Sequence, residues 1–210
     1  VEDKRRFLEI LKSEEPKVPT YHFRAWILGE NNVGKTQLLK SFGCEGDSLY
    51  FRKDNHFLVE KKLTCNFQFL EIPAKGLPMG SQLNQRVYRP NAAIIVFDAT
   101  IRETFNKSNE LINQIRSGSY PEFAKNTNVY LIGCKYDAVD EVEVGSRELS
   151  RFAAEEQVFC RYLNAKNSEE VSACFKAMVE THLDYEVKLE EQKENKPDTA
   201  ATNTSRCLVS

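Results

Sequence analysis

The stretch Gly29-Glu30-Asn31-Asn32-Val33-Gly34-Lys35-Thr36 fits the spacing G-x-x-x-x-G-K-[ST]. A loop of this kind turns backbone N–H groups inward around phosphate oxygens, its Lys reaches the outer phosphates and its hydroxyl holds Mg²⁺. The pattern restricts the fold because it works only between a buried strand and the first turn of a helix, whose dipole favours an anion. Both flanks are present. Tyr21-His22-Phe23-Arg24-Ala25-Trp26-Ile27-Leu28 reads as a strand, and Thr36-Gln37-Leu38-Leu39-Lys40-Ser41-Phe42 as a helix start. Gly29, Asn31, Asn32, Val33, Gly34, Lys35, Thr36 and Gln37 are therefore the phosphate-site candidates, with Thr36 as the metal ligand.

The rest of the chain supplies the layers such a loop needs. Before it, Phe7, Leu8, Ile10 and Leu11 recur at helical spacing until Pro16 and Pro19 forbid continuation, which predicts a helical extension over residues 1–20. After it, residues 57–59 and 66–72 read as two strands joined tightly around 61–64. Residues 83–89 form a short helix between breakers, and Ala92-Ala93-Ile94-Ile95-Val96-Phe97 is a central strand covered on both faces. A helix over 102–117, a strand over 129–132, a helix over 146–157, a strand over 158–163 and a long helix from Ser168 to about Glu191 follow, the last with Ser168 as its cap. This alternation specifies a doubly wound α/β sheet, mostly parallel with one antiparallel hairpin strand, over residues 21–191. Residues 192–210 are polar and poor in apolar side chains, as in a disordered tail.

Bulk properties exclude several function classes. In 210 residues, 29 basic side chains face 31 acidic ones, a formal charge of -2, so no global field recommends nucleic acid as a partner. The bland balance points to a small ligand or to proteins. The cysteines at 44, 65, 134, 160, 174 and 207 are scattered, with no C-x-x-C pair and no His at ligand spacing, which argues against zinc. No apolar run reaches the roughly 18 residues of a membrane span, and residues 1–16 carry no signal-peptide pattern. A reduced, cytosolic setting is expected.

Two further loops fall at strand ends. Gly133-Cys134-Lys135-Tyr136-Asp137 follows the 129–132 strand. An Asp there accepts two hydrogen bonds from the N1–H and 2-amino group of guanine, which adenine does not offer, while a Lys stem lies over the ring. Leu163-Asn164-Ala165-Lys166 follows the next strand and offers backbone N–H groups to the guanine O6. In this order of loops, with Phe97-Asp98-Ala99-Thr100 between, the chain resembles the Ras superfamily of small GTPases from about Phe23 to Leu183, and its Rab-like members most closely. The resemblance implies GTP or GDP with Mg²⁺ as cofactor, and protein effectors and regulators as partners. It also implies a role as a membrane-associated signalling or trafficking switch. By position, Lys135, Asp137, Ala165 and Lys166 match the family's Asn-Lys-x-Asp and Ser-Ala-Lys loops, whereas Cys134 and Asn164 replace its Asn and Ser. Losing that Asn is expected to lower affinity more than base choice.

Hydrolysis in the family needs a Thr from a first switch on Mg²⁺ and an Asp-x-x-Gly followed by a water-positioning Gln. Here the matching segment is Glu71-Ile72-Pro73-Ala74-Lys75-Gly76, in which Glu71 stands for the Asp and Lys75 occupies the Gln position. A Lys neither accepts a proton from water nor orients it as a carboxamide does. The first switch is short: between Gln37 and Leu63 the only hydroxyls are Ser41, Ser48 and Tyr50, and Thr64 belongs to the hairpin. Asn31 stands where the family has a small residue, beside the γ-phosphate. Three readings compete. One is a small GTPase with slow or partner-dependent hydrolysis, another a non-hydrolysing nucleotide-binding module of the same fold. The third, an ATP-using P-loop enzyme, is opposed by Asp137.

The ending Cys207-Leu208-Val209-Ser210 matches a prenylation signal, with Cys207 as the modified thiol. One lipid gives only reversible membrane binding. A protein that cycles between the cytoplasm and the cytoplasmic face of a membrane is the expectation.

Overall fold

The computed structural model describes residues 19–47, 49–58, 62–76, 90–124 and 127–194. The N-terminal helix, the 83–89 helix, Ser48, and residues 195–210 of the tail with Cys207 lie outside these; residues 192–194, expected in the tail, continue the last helix. A seven-stranded sheet carries the order β2-β3-β4-β1-β5-β6-β7, built from β1 (Thr20–Leu28), β2 (Glu45–Asp47), β3 (Tyr50–Leu58), β4 (Leu63–Glu71), β5 (Ala92–Asp98), β6 (Asn128–Cys134) and β7 (Phe159–Tyr162). Strands β4, β1, β5, β6 and β7 are parallel to one another, while β3 runs antiparallel to β4 and β2 to β3. The mostly parallel, doubly wound architecture is the one expected from the alternation of elements.

Helices α1 (Lys35–Ser41), α2 (Arg102–Arg116), α3 (Ser146–Glu156) and α4 (Ser168–Glu194) cover the sheet from both sides. The period-2 geometry of β1 divides its side chains between two cores. Phe23, Ala25 and Ile27 join Leu38 and Leu39 of α1 and Val171, Phe175, Met178 and Val179 of α4 on one face. Trp26 and Leu28 join Phe105, Ile112 and Ile115 of α2 and Leu149 of α3 on the other. Strand β5 is buried along its whole length, as its unbroken apolar run requires.

Three features depart from the expectations. The first hairpin strand begins at Tyr50 rather than at 57, because Tyr50-Phe51-Arg52-Lys53 pairs with β4 from Leu70 back to Phe67 although it is rich in polar side chains. Its charged residues Arg52 and Lys53 break the apolar pattern and masked the strand. The three-residue β2 adds a further strand at the edge, permitted by Gly46: a Cβ there would stand 2.1 Å from the Tyr50 carbonyl oxygen. The α4 cap is Asn167, not Ser168. The Asn167 side-chain oxygen accepts from the Glu169 and Glu170 backbone N–H groups at 3.1 and 3.3 Å, and Ser168 is already the first helical residue.

Candidate functional site

The phosphate loop leaves the carboxyl end of β1. Gly29 takes φ 136°, and a Cβ on it would lie 2.1 Å from the Val96 carbonyl oxygen, so the backbone passes β5 at a distance no other residue allows. Asn31 and Asn32 are exposed, with Asn32 in the left-handed region at φ 60°, one of the few conformations that Asn accepts more readily than most. Val33 turns into the core, 1% exposed, and pins the loop from below. Gly34 at φ 111° opens α1.

Lys35 is buried, and its ammonium donates to the Gly29 carbonyl at 2.9 Å and the Glu30 carbonyl at 2.6 Å. Burial lowers its pKa, against the opposing pull of the Glu71 and Glu30 carboxylates. Thr36 donates its hydroxyl to Glu71, both of whose carboxylate oxygens lie 2.8 Å away. Glu71 at the end of β4 thus reaches the hydroxyl from the position expected of the family's Asp. A Thr hydroxyl beside a carboxylate is a hard-oxygen donor set suited to Mg²⁺. Gln37 stands apart, exposed on α1 with its amide donating to Ser41 Oγ at 3.0 Å.

The two base loops meet the phosphate loop at one point. A Cβ placed on Gly34 would lie 3.3 Å from Cys134 Sγ and 3.7 Å from the Ala165 Cβ. Cys134 is fully buried, and burial foremost pushes its thiol up to about 12, so it packs here as a small apolar group. Where the family places an amide to tie the loops together, this chain relies on van der Waals contact. Lys135 takes φ 60° and donates to Asp98 Oδ2 at 2.6 Å. Asp137 is exposed in the turn that follows. In the last loop, Asn164 Oδ1 accepts the Lys166 backbone N–H at 2.9 Å and Glu170 accepts that of Asn164 at 3.0 Å.

Asp98, which the sequence does not mark as a site residue, is the hub of the base side. It is 1% exposed at the end of β5 and accepts from the Thr100 hydroxyl at 2.7 Å and the Thr100 N–H at 3.0 Å as well as from Lys135. Burial raises its pKa, yet the hydrogen bonds from Lys135 and Thr100 outweigh burial and hold it below the usual carboxylate range. An acid directly after a fully apolar strand is the signal that could have found it.

The region of the first switch is taken up by sheet. Helix α1 ends at Ser41, and Phe42, Gly43 and Cys44 fold back on it through N–H bonds to Leu38, Lys40 and Leu39 carbonyls. The Phe42 ring packs between Phe67, Phe69 and Phe175, with Lys53 over its face at 4.1 Å and bonded to its carbonyl at 2.5 Å. Strand β2 then begins at Glu45. Thr64 sits near the start of β4, paired with Thr20 at the end of the sheet away from the site.

A parallel sheet wound on both faces, with a phosphate loop after β1 and a Lys-x-Asp loop after β6, defines a P-loop nucleotide-binding protein. The sequence profile of the Ras family matches residues 80–184. The chain belongs to the Ras family and is a Rab-like small GTPase. It is similar to Ras-related protein RABA5a of Arabidopsis thaliana, 28% identical over 209 residues with 94% of this chain and 90% of the relative covered. RABA4b of the same plant is 26% identical over 174 residues, covering 76% and 71%. Rab11A of Lotus japonicus is 26% identical over 170 residues, covering 74% and 69%. The profile match holds the Lys-x-Asp and Asn164–Lys166 loops and leaves out the phosphate loop and the first hairpin.

Proposed function

We propose that this protein binds GTP and GDP with Mg²⁺ at the loops described above, hydrolyses GTP slowly or only with a partner's help, and acts as a membrane-associated signalling or trafficking switch. The observation that carries the binding reading is the convergence of Gly34, Cys134 and Ala165, which come from three separate strand ends. The glycine backbone of 29–34 would cradle the phosphates, Lys35 would neutralise them, and Thr36 with Glu71 would hold the metal, which supplies further positive charge at the phosphate oxygens when bound. Asp137 would accept from the guanine N1–H and 2-amino group, with the Lys135 stem over the ring. The Asn164 and Lys166 N–H groups are already engaged, so the Ala165 N–H is the donor of that loop left for O6 among the described residues.

Slow hydrolysis is the reading supported by the residue types at the switch positions. Residues 42–44 carry no hydroxyl, and Lys75 stands in the Gln position. The anchoring of Phe42 in the core supports the second reading, a non-hydrolysing guanine-nucleotide module of the same fold, since the segment after α1 is held where it does not cross the site. Single-turnover phosphate release from GTP and Mg²⁺ distinguishes them: measured GDP binding with no release above buffer excludes unaided hydrolysis, and ATP outcompeting GTP excludes both. Prenylation at Cys207 would account for reversible attachment to the cytoplasmic face of a membrane. No helix among the described residues is long and apolar enough to cross one. Membrane fractionation of Cys207→Ser should show the variant in the soluble pool, and an unchanged membrane share would exclude this role.

A further inference from the structure

The Lys-x-Asp loop is held from one side by an aromatic stack that the established family membership does not explain. Lys135 and Ala138 close a turn, the Ala138 N–H donating to the Lys135 carbonyl at 3.2 Å, and Tyr136 and Asp137 are its two central residues. Asp137 is free to face solvent or a base. Tyr136 instead lies flat on Tyr162 of β7, ring centroids 4.2 Å apart and planes 17° from parallel. Tyr162 is in turn immobilised: its hydroxyl donates to the Val144 carbonyl at 2.6 Å, and its ring meets Phe97 edge-on at 6.0 Å.

The neighbouring backbone is shaped around that ring. A Cβ on Gly133 would come within 2.4 Å of Tyr162 Cδ1 and Cε1 and 2.7 Å of Phe97 Cζ, so the ring fills the space where a side chain of β6 would stand. Beyond the turn, the Glu143 and Val144 N–H groups donate to the Ala99 carbonyl at 3.0 and 3.2 Å. Arg102 grips the same stretch through the Glu143 carbonyl and the Glu148 carboxylate. The loop is thus fastened before the turn by Lys135 to Asp98 and after it by residues 143–144. Of the two central residues of the turn, Tyr136 and Asp137, the Tyr136 ring is the one fastened among the contacts described.

We propose that Tyr136 and Tyr162 are positioning residues for guanine recognition: their stack fixes the rotation of the 135–138 turn and so aims the Asp137 carboxylate at the N1–H and 2-amino group. In this chain the stack takes over the orienting work for which the family uses an amide at the position of Cys134. The inference rests on guanine-nucleotide binding as proposed above. A two-residue turn centre with one residue clamped leaves its neighbour few orientations, which is pre-organisation of the kind that raises affinity without a new ligand contact.

The test is fluorescent-analogue binding by the full chain, with GDP compared with inosine diphosphate, which lacks the 2-amino group. Tyr136 is partly exposed, so Tyr136→Ala should keep the protein folded and lower the thermal midpoint by no more than a few degrees, roughly 2–4 °C per kcal/mol. It should weaken GDP binding about 3- to 10-fold, the scale of one aromatic pair, and reduce the preference for GDP over inosine diphosphate. Tyr136→Phe keeps the ring and should restore both. Equal loss of both nucleotides in Tyr136→Ala, or no loss, overturns the positioning role while leaving guanine binding intact. A wild-type protein that binds neither nucleotide overturns the binding reading and this inference together.

Discussion

Removing the Asp98 carboxylate separates a structural ion pair from an ordinary surface one. In Asp98→Ala, three hydrogen bonds are lost: those from Lys135 Nζ at 2.6 Å, Thr100 Oγ1 at 2.7 Å and Thr100 N at 3.0 Å. Hydrogen bonds to a charged group contribute about 1.5–3 kcal/mol each, so a simple sum would overstate the effect. Two corrections reduce it. The Lys135 side chain is 47% exposed and regains water when its partner leaves, whereas Asp98 at 2% had been taken fully from water, a cost the variant no longer bears. The expected loss is about 2–3 kcal/mol, read from urea unfolding monitored by tryptophan fluorescence at pH 7. Asp98→Asn keeps the acceptor for Thr100 and removes the charge, so it should fall about halfway. The sign with pH is fixed by the depressed pKa of Asp98. Its contribution is fully present above its unfolded value of 3.8 and is lost as pH falls through the lower folded value. The gap between wild type and Asp98→Asn should therefore stay constant from pH 7 to about 5 and close only under strongly acidic conditions. A loss below about 0.5 kcal/mol in Asp98→Ala at pH 7 would put the pair among exposed ion pairs and refute its role as the hub of the base side.

Two further substitutions address the packing of the loops. Gly133→Ala places a methyl against the Tyr162 and Phe97 rings and should cost about 1–3 kcal/mol by overpacking. In a chain of this length that lowers the melting midpoint by roughly 2–4 °C per kcal/mol, and an unchanged midpoint would show that Tyr162 has room to move. Cys134→Asn should tighten GDP binding about fivefold, the value of one net hydrogen bond, with the guanine-over-adenine preference unchanged. Titration of both nucleotides checks it, and a gain in base selectivity without a gain in affinity would contradict the division of roles between Cys134 and Asp137.

The phosphate loop, the parallel strands and the order of the base loops are legible in the residues because each has a local cause. Left-handed φ at Gly29 and Gly34, an apolar run at 92–97 and helical spacing at 102–117 need no distant partner to be read. Strand β3 is not legible, since Tyr50-Phe51-Arg52-Lys53 acquires its strand geometry from β4 on one side and β2 on the other. The sequence does not choose between Asn167 and Ser168 as the cap, since Asn and Ser both cap and only the geometry of the 169 and 170 N–H groups decides. That Glu71 meets Thr36, that Cys134 abuts Gly34, and that Asp98 and the Tyr136–Tyr162 stack hold the base loop were decided by tertiary structure alone. These partners lie 26 to 100 residues apart in sequence, and what joins them is the parallel sheet, which brings the carboxyl ends of β1, β4, β5, β6 and β7 to one edge.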